Sequence, residues 1–378
     1  MLEPRAAVER SPDAWRRRAR EFADQELRPL LADPPDLRPD GPLRQRLRRA
    51  ELFGLGQPVE WGGGGESTET VAAVLEEIAR VDPATAVLLS VHLSVCAYPI
   101  ARWGTEAQKR QWLRPLLTGQ MLGAFALTEP EAGSDAAALQ SRYRFTGGRF
   151  TLTGAKTFIS NGDSADLLLT FATHDPALGR RGISAFLVPR RTGGVVVVRH
   201  LEKLGLDRSE TTELRFDDLE LPPDRLLGPE GEGLGIALNS LVGGRIGIAA
   251  CALGVARAAL DELETAARTD PSDVKLLAVA RSFSELEAAA ALVQEAARRR
   301  DRQEPFAPYA SAAKLAASRA ALRIAHRAFD AWAEPTGERA SRAGRLLRDA
   351  RVFPIVEGTS EIQERILGRE RLRPARPG

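Results

Sequence analysis

The chain has 378 residues, 43% of them hydrophobic, and 53 basic against 51 acidic side chains leave a net charge of +2. So even a balance gives no global field for nucleic acid or an anionic membrane, and the length suffices for two or three domains with a substantial core. Cys96 and Cys251 stand in apolar helical context with no metal-ligand spacing, the pattern of buried thiols in a reducing compartment. Met1-Leu2-Glu3-Pro4 opens without an apolar signal core, and no run reads as membrane-spanning, so a cytoplasmic protein without a bound metal is expected.

Three regions of different periodicity follow, with boundaries expected at 1–121, 122–230 and 231–378. In the first, apolar residues recur at three and four along Trp15 to Leu31 and Val71 to Val81. Asp82-Pro83 starts a further helix, and Thr105 with Gln108 has capping-box spacing. The arginine runs Arg16 to Arg18 and Arg298 to Arg300 read as solvated helix faces. Trp61-Gly62-Gly63-Gly64-Gly65 is a loop, and no Lys-Ser/Thr follows it to make a phosphate cradle.

In the second region the period drops toward two. Arg142 to Phe145 and Arg149 to Thr153 flank Gly147-Gly148 as a hairpin, and Leu167–Thr173, Ile183–Val188, Val195–Arg199 and Glu213–Phe216 read as short strands. Strands so spaced without helices between them indicate a small β-barrel or sandwich. From Gly231 helix returns: Leu234–Arg268, Val274–Arg302 and Ala307–Ala333, broken at Asp270-Pro271 and Glu334-Pro335, imply an antiparallel four-helix bundle. The fold class is therefore α+β and multidomain: helical, then β, then a helical bundle.

Two segments carry chemistry. Val356-Glu357-Gly358-Thr359-Ser360-Glu361-Ile362-Gln363 places Ser360 and Gln363 at capping-box spacing, which leaves Glu357 on the turn before a helix. A carboxylate there is a candidate general base, and Gly358 lets a ligand approach its backbone. Far upstream, Phe125-Ala126-Leu127-Thr128-Glu129-Pro130-Glu131-Ala132-Gly133-Ser134-Asp135 forms a second candidate turn. Gly243-Gly244, inside a helix, costs stability and implies a group lying against the backbone.

With Pro58 to Gly63, Lys156 to Gly162, Lys203-Leu204-Gly205, Leu226-Leu227-Gly228, Gly243 to Ala249 and Arg348 to Arg351, these segments stand in one order along most of the chain. The ordered set resembles the acyl-CoA dehydrogenases, flavoproteins that oxidise acyl thioesters between the α and β carbons. The resemblance implies FAD as cofactor, an acyl thioester (CoA or carrier-bound) as substrate and an electron-transfer flavoprotein as partner. It implies Glu357 as the base, with Arg245 beside it, and Ser134, Arg245 and Gly358 against the substrate. Phe125, Leu127, Thr128, Gly133, Ser134, Phe158, Ile159, Ser160, Thr359, Ser360 and Glu361 are implied to line the flavin. His92 and His326 read as packed or surface residues without catalytic roles.

The chain departs from the family at three places. Arg268 to Val274 lacks the expected Phe-Gly, Asp330 to Thr336 replaces a Gln-x-x-Gly-Gly segment, and Val242 stands where many members carry Asp. The first two segments are those with which the family reaches a neighbouring subunit's FAD. Three outcomes accord with this: a dehydrogenase with differently capped FAD in a homo-oligomer, a mixed oligomer with a related subunit, or a catalytically silent, FAD-poor subunit. Retention of Glu357 with the Leu127 to Asp135 turn favours the first two.

Overall fold

The computed structural model describes residues 11–32, 35–38, 41–332 and 338–372. Ser11 caps α1 (Pro12–Phe22) by accepting from Ala14 N, and Trp15 and Ala19 turn inward. After α2 (Pro42–Arg49), Ser67 caps α3 (Thr68–Val81) and the Asp82 carboxylate caps α4 (Pro83–Val91). The chain runs on through a π-helical turn, His92–Ala97, into α5 (Tyr98–Trp103), and α6 (Glu106–Gln108) and α7 (Arg114–Leu117) complete the region. Thr105 and Gln108 make the expected reciprocal capping box. The first arginine run is not wholly solvated: Arg16 reaches the buried Glu77 carboxylate at 3.1 Å, because that acid needs a counter-charge.

Arg44, 1% exposed, donates to Gly119 O, Gln120 O and Asp166 Oδ2, fastening the helices to the β region. The strands are β1 (Gly123–Ala126), β2 (Arg142–Thr146), β3 (Arg149–Ser160), β4 (Leu167–Thr173), β5 (Ile183–Pro189), β6 (Val195–His200), β7 (Thr211–Leu221) and β8 (Leu226–Leu227). Gly147 and Gly148, at φ +60° and +78°, make the tight turn between β2 and β3. The sheet runs β6-β7-β3-β2-β4-β5-β8, with β1 parallel beside β4. β2 and β4 meet at a single residue pair, Arg142 and Thr173. There the sheet curls, so that Phe150, Leu152 and Phe216 of one arm share a core with Leu168, Phe186 and Val188 of the other. The result is one open, barrel-like sheet.

The last region comprises α8 (Gly233–Thr269), α9 (Asp273–Asp301), α10 (Ala307–Asp330), α11 (Glu338–Ala350) and α12 (Ser360–Arg371). Alanines at 249, 252, 256 and 259 of α8 and 313, 317, 320 and 321 of α10 are almost fully buried, which lets these helices approach closely. Two helical stretches, Pro83–Trp103 and Gly233–Thr269, are in fact long and apolar enough to cross a membrane. Their apolar windows are 78% and 72% buried inside the fold, so they are core helices. Arg268 to Val274 forms a tight connection in which Ser272 caps α9 through Lys275 N. Of the expected Asp330 to Thr336 segment, residues 333–336 lie outside the described residues, as do Met1 to Pro4.

Candidate active site

The turn after α11 places the acid. Thr359, not Ser360, caps α12, accepting from Ile362 N at 3.3 Å. Gln363 is thereby released from a capping box and donates Nε2 to the carbonyls of Gly358 (3.0 Å) and Glu357 (3.4 Å), clasping the turn from inside. Glu357 adopts φ +52° and Gly358 φ +93°. A left-handed glutamate is strained, and only a well-determined surrounding holds one there. Although the residue is half-buried as a whole, both of its carboxylate oxygens are sealed from solvent and have no hydrogen-bond partner.

Three groups from the bundle face that carboxylate. Gly244 of α8 lies against it: a Cβ on residue 244 would collide with the Glu357 carboxylate. Arg245, 7% exposed, donates Nη1 to Ser311 Oγ at 3.2 Å and keeps a buried, unpartnered Nε. Lys314 of α10 is fully buried and donates Nζ to Gly358 O at 2.7 Å. Burial pushes the Glu357 acid up to about 8, against the pull of Arg245 and Lys314. Burial likewise brings Lys314 down to about 8 and lowers Arg245, which Glu357 partly restores. Burial thus holds the Glu357 acid near neutrality.

Lys314 and Ser311 escaped the sequence reading because they stand in an alanine-rich helix. A signal was present: 310, 314, 317, 321 and 324 fall at alternating spacings of four and three, so Lys314 lies on the apolar stripe. Arg300 reverses an expectation. It turns inward from the second arginine run and stacks its guanidinium on Tyr98 and Phe306. His92 is packed as expected, its Nδ1 accepting from Gly123 N while burial lowers it to about 4, and His326 is exposed.

The β face supplies the second half. Glu129 accepts from the backbone N–H of Gln140 and Ser141 and from the buried Lys156 Nζ (2.7 Å), pinning the turn after β1. Thr157 N donates to Thr128 O at 2.9 Å, which sets Thr128 beside a bulge in β3 where register shifts between Lys156 and Ile159. On that bulge Phe158 takes φ +57° and is 69% exposed. Bulges of this kind re-aim a side chain beside a functional site. Gly133 and Ser134 are exposed, and a Cβ on Gly133 would meet nothing within 4 Å. Phe125, Leu127 and Ile159 instead turn their side chains into the cores; Ser160 is half-buried.

Ser160 and Ile159 pair with Thr211 and Thr212 of β7. The loop before β7 is locked to the end of α11, where the Asp349 carboxylate accepts from Leu206 N at 2.7 Å and a Cβ on Gly205 would strike the Arg348 backbone. The β bulge and the Glu357 turn are thus fixed to one another. Thr359 and Ser360 are half-buried and Glu361 exposed at the start of α12. Phe158, Leu204 and Ile355 are exposed large apolar side chains, and Gly133 borders open space.

Models of the acyl-CoA dehydrogenase N-terminal, middle and C-terminal domains match residues 11–120, 124–219 and 231–372. The chain belongs to the acyl-CoA dehydrogenase family. It is 40% identical over 364 residues to an acyl-CoA dehydrogenase of Bacillus subtilis, covering 94% of this chain and 96% of that one. A short-chain specific acyl-CoA dehydrogenase of Megasphaera elsdenii is 38% identical over 326 residues, 83% of this chain and 85% of that one. The butyryl-CoA dehydrogenase structure of Megasphaera elsdenii superposes with a TM-score of 0.91 at 34% identity, covering 99% and 100% of the two chains. Acyl-CoA dehydrogenases are FAD-binding oxidoreductases that act on CH–CH groups, and the helical, β, helical order of this chain is theirs.

Proposed function

We propose that this protein dehydrogenates an acyl thioester, with Glu357 removing the α proton. The observation that carries it is the Glu357 carboxylate, sealed from water, unbonded, and raised by burial to about 8. An ordinary carboxylate is too weak a base for an α proton, and burial strengthens it. Arg245 and Lys314 keep the ionised form within reach near neutral pH. The Glu357 N–H finds no acceptor among the described residues, which leaves it free to polarise the thioester carbonyl as charge develops there.

FAD, when bound, accepts the β hydride. Thr128, Ser134 and Phe158, the backbone of Phe125, Leu127, Gly133, Ile159 and Ser160, and the Thr359 to Glu361 start of α12 would hold it. Gly358 and Ser134 border the substrate, and Arg245 positions the base. Electrons then leave for an electron-transfer flavoprotein, and the enzyme works in the cytoplasm on CoA or carrier-protein thioesters. An uncovered apolar strip on α9, Val274, Leu276, Leu277 and Phe283, supports an oligomer, either of this chain or with a related subunit. The altered Arg268 to Val274 turn supports the second reading, a silent subunit of a mixed complex. Anaerobic titration separates them. The working enzyme bleaches its flavin with an acyl-CoA and the Glu357→Gln variant binds FAD without bleaching; a wild type that takes up no FAD sinks the enzymatic reading.

A further inference from the structure

Consecutive glycines on α8 make room for two different charges. Gly244 admits the Glu357 carboxylate; Gly243 admits Arg300, whose Nη1 lies 2.8 Å from where a Cβ on residue 243 would stand. Arg300 comes from the last turn of α9, and its guanidinium rests on the rings of Tyr98 at 5.3 Å and Phe306 at 5.8 Å. Among the described residues it has no hydrogen-bond acceptor and no ion pair. The adjacent Asp301 carboxylate is committed to Thr68 N (2.8 Å) and Glu69 N (3.2 Å) at the start of α3. Its neighbours Arg298 and Arg299 pair with Glu295 instead. Apart from those two ring faces, the described residues offer the half-buried Arg300 cation no acceptor.

The guanidinium borders a cavity of about 60 Å³ walled by Ser90, Ser94, Gly243, Gly247 and Val71. The Ser90 hydroxyl, against Gly247, is buried and has no partner. Ser94 is occupied with Ser90 O, and Glu66 on the wall has contacts of its own. Two unpartnered donors, one of them charged, therefore share a small space. The Glu357 carboxylate lies against Gly244, one residue along α8 from the cavity-lining Gly243 and about a quarter turn around the helix from it.

We propose that this cavity receives the far end of the acyl arm and is built for a carboxylate there, so that the substrate is the thioester of a short dicarboxylic acid. This rests on the proposed chemistry at Glu357. The Arg300 guanidinium supplies the counter-charge and the Ser90 hydroxyl a second donor. At 10–15 Å³ for each water-sized group, the space takes roughly four to six, enough for a carboxylate and one or two methylenes but not for a long chain. An arm ending in methyl leaves both donors unpaired, and sites built around buried donors reject such analogues strongly.

The test compares glutaryl-CoA with butyryl-CoA in two assays. With FAD-loaded wild type, anaerobic flavin reduction is expected to show kcat/KM at least about a hundredfold higher for glutaryl-CoA. In the Glu357→Gln protein, calorimetry is expected to give glutaryl-CoA a Kd some thirtyfold lower than butyryl-CoA. Arg300→Met in that background removes the difference and Ser90→Ala reduces it. Equal binding of the two thioesters, or a preference that survives Arg300→Met, overturns the proposal even if butyryl-CoA bleaches the flavin. Arg300-dependent binding of glutaryl-CoA without flavin reduction upholds the cavity assignment and removes the dehydrogenase reading.

Discussion

The Glu357 carboxylate occupies the space that a side chain on Gly244 would fill. One residue on a bundle helix thereby sets the position of an acid 113 residues later, since 357 minus 244 is 113. Gly244 costs helix stability of about 1 kcal/mol against alanine, and it leaves room for that carboxylate.

Gly244→Ala follows directly. The carboxylate is the far end of a flexible side chain and can swing aside, so the helix gains propensity while the base loses its place. Thermal stability is expected to stay within a few degrees of wild type, with FAD binding retained. The rate of flavin reduction should fall by two orders of magnitude or more, as a misplaced base does. Wild-type reduction rates with butyryl-CoA and glutaryl-CoA would refute the placement.

The raised pKa of Glu357 makes two pH predictions of definite sign. As a base it works only when ionised, so kcat/KM is expected to rise about tenfold per pH unit below about 8 and level off above it. For stability the sign is opposite. The folded acid holds its proton more tightly than the unfolded one, so between about 4.5 and 8 the native state binds more protons and loses stability as pH rises. Glu357→Gln has no such loss. Urea melts of both proteins in the same flavin state, at pH 5, 7 and 9, should show the difference shifting toward the variant by a few kcal/mol and then levelling.

Much of this architecture was legible because its signals are local. The Gly147-Gly148 turn, the Thr105–Gln108 box and the Asp82-Pro83 helix start each depend on a few adjacent residues, and each stands as the sequence indicates. The cap of α12 slipped by one, from Ser360 to Thr359, because both residues are good caps and Gln363 has a tertiary task that spacing cannot reveal. Arg300 was opaque for a different reason, and Lys314 showed only through its place on the apolar stripe of α10. A cation among alanines reads as solvated, and only the packing of α9 against α8 turns Arg300 toward Gly243. Phe158 was legible as a residue but not as an exposed one; the register shift in β3 that turns it outward needs β7 as partner.

Lys314→Met tests whether that buried lysine positions the base. Its ammonium holds Gly358 O and attracts Glu357, so its loss leaves the carbonyl to Gln363 alone and removes one of two cations that lower the acid. The midpoint of the kcat/KM profile should therefore move above 8, and kcat should fall more than KM changes. A merely structural lysine would lower the melting temperature and leave the midpoint where it was.

Lys156→Met probes the cradle on the β side. Lys156 and Glu129 form a buried pair at 2.7 Å, and Glu129 also accepts from the Gln140 and Ser141 N–H groups that close the turn carrying Gly133 and Ser134. Removing one partner strands a buried carboxylate, which costs about 3–5 kcal/mol. Burial raises and Lys156 with its hydrogen bonds lowers the Glu129 acid, leaving it below the usual carboxylate value. That contribution is present above about pH 4.5 and lost as pH falls through the depressed value. Without Lys156 the sign reverses: the stranded acid takes up a proton more readily in the folded state, so the variant's deficit should shrink as pH is lowered from 7 to 5. Adding Glu129→Gln keeps an acceptor for the two backbone N–H groups and removes the charge, and should restore part of the loss at pH 7. Urea melts check the energies, and the FAD dissociation constant checks the consequence, expected to be at least tenfold weaker in Lys156→Met. A variant as stable as wild type with unchanged FAD affinity would mean that the pair does not hold the turn.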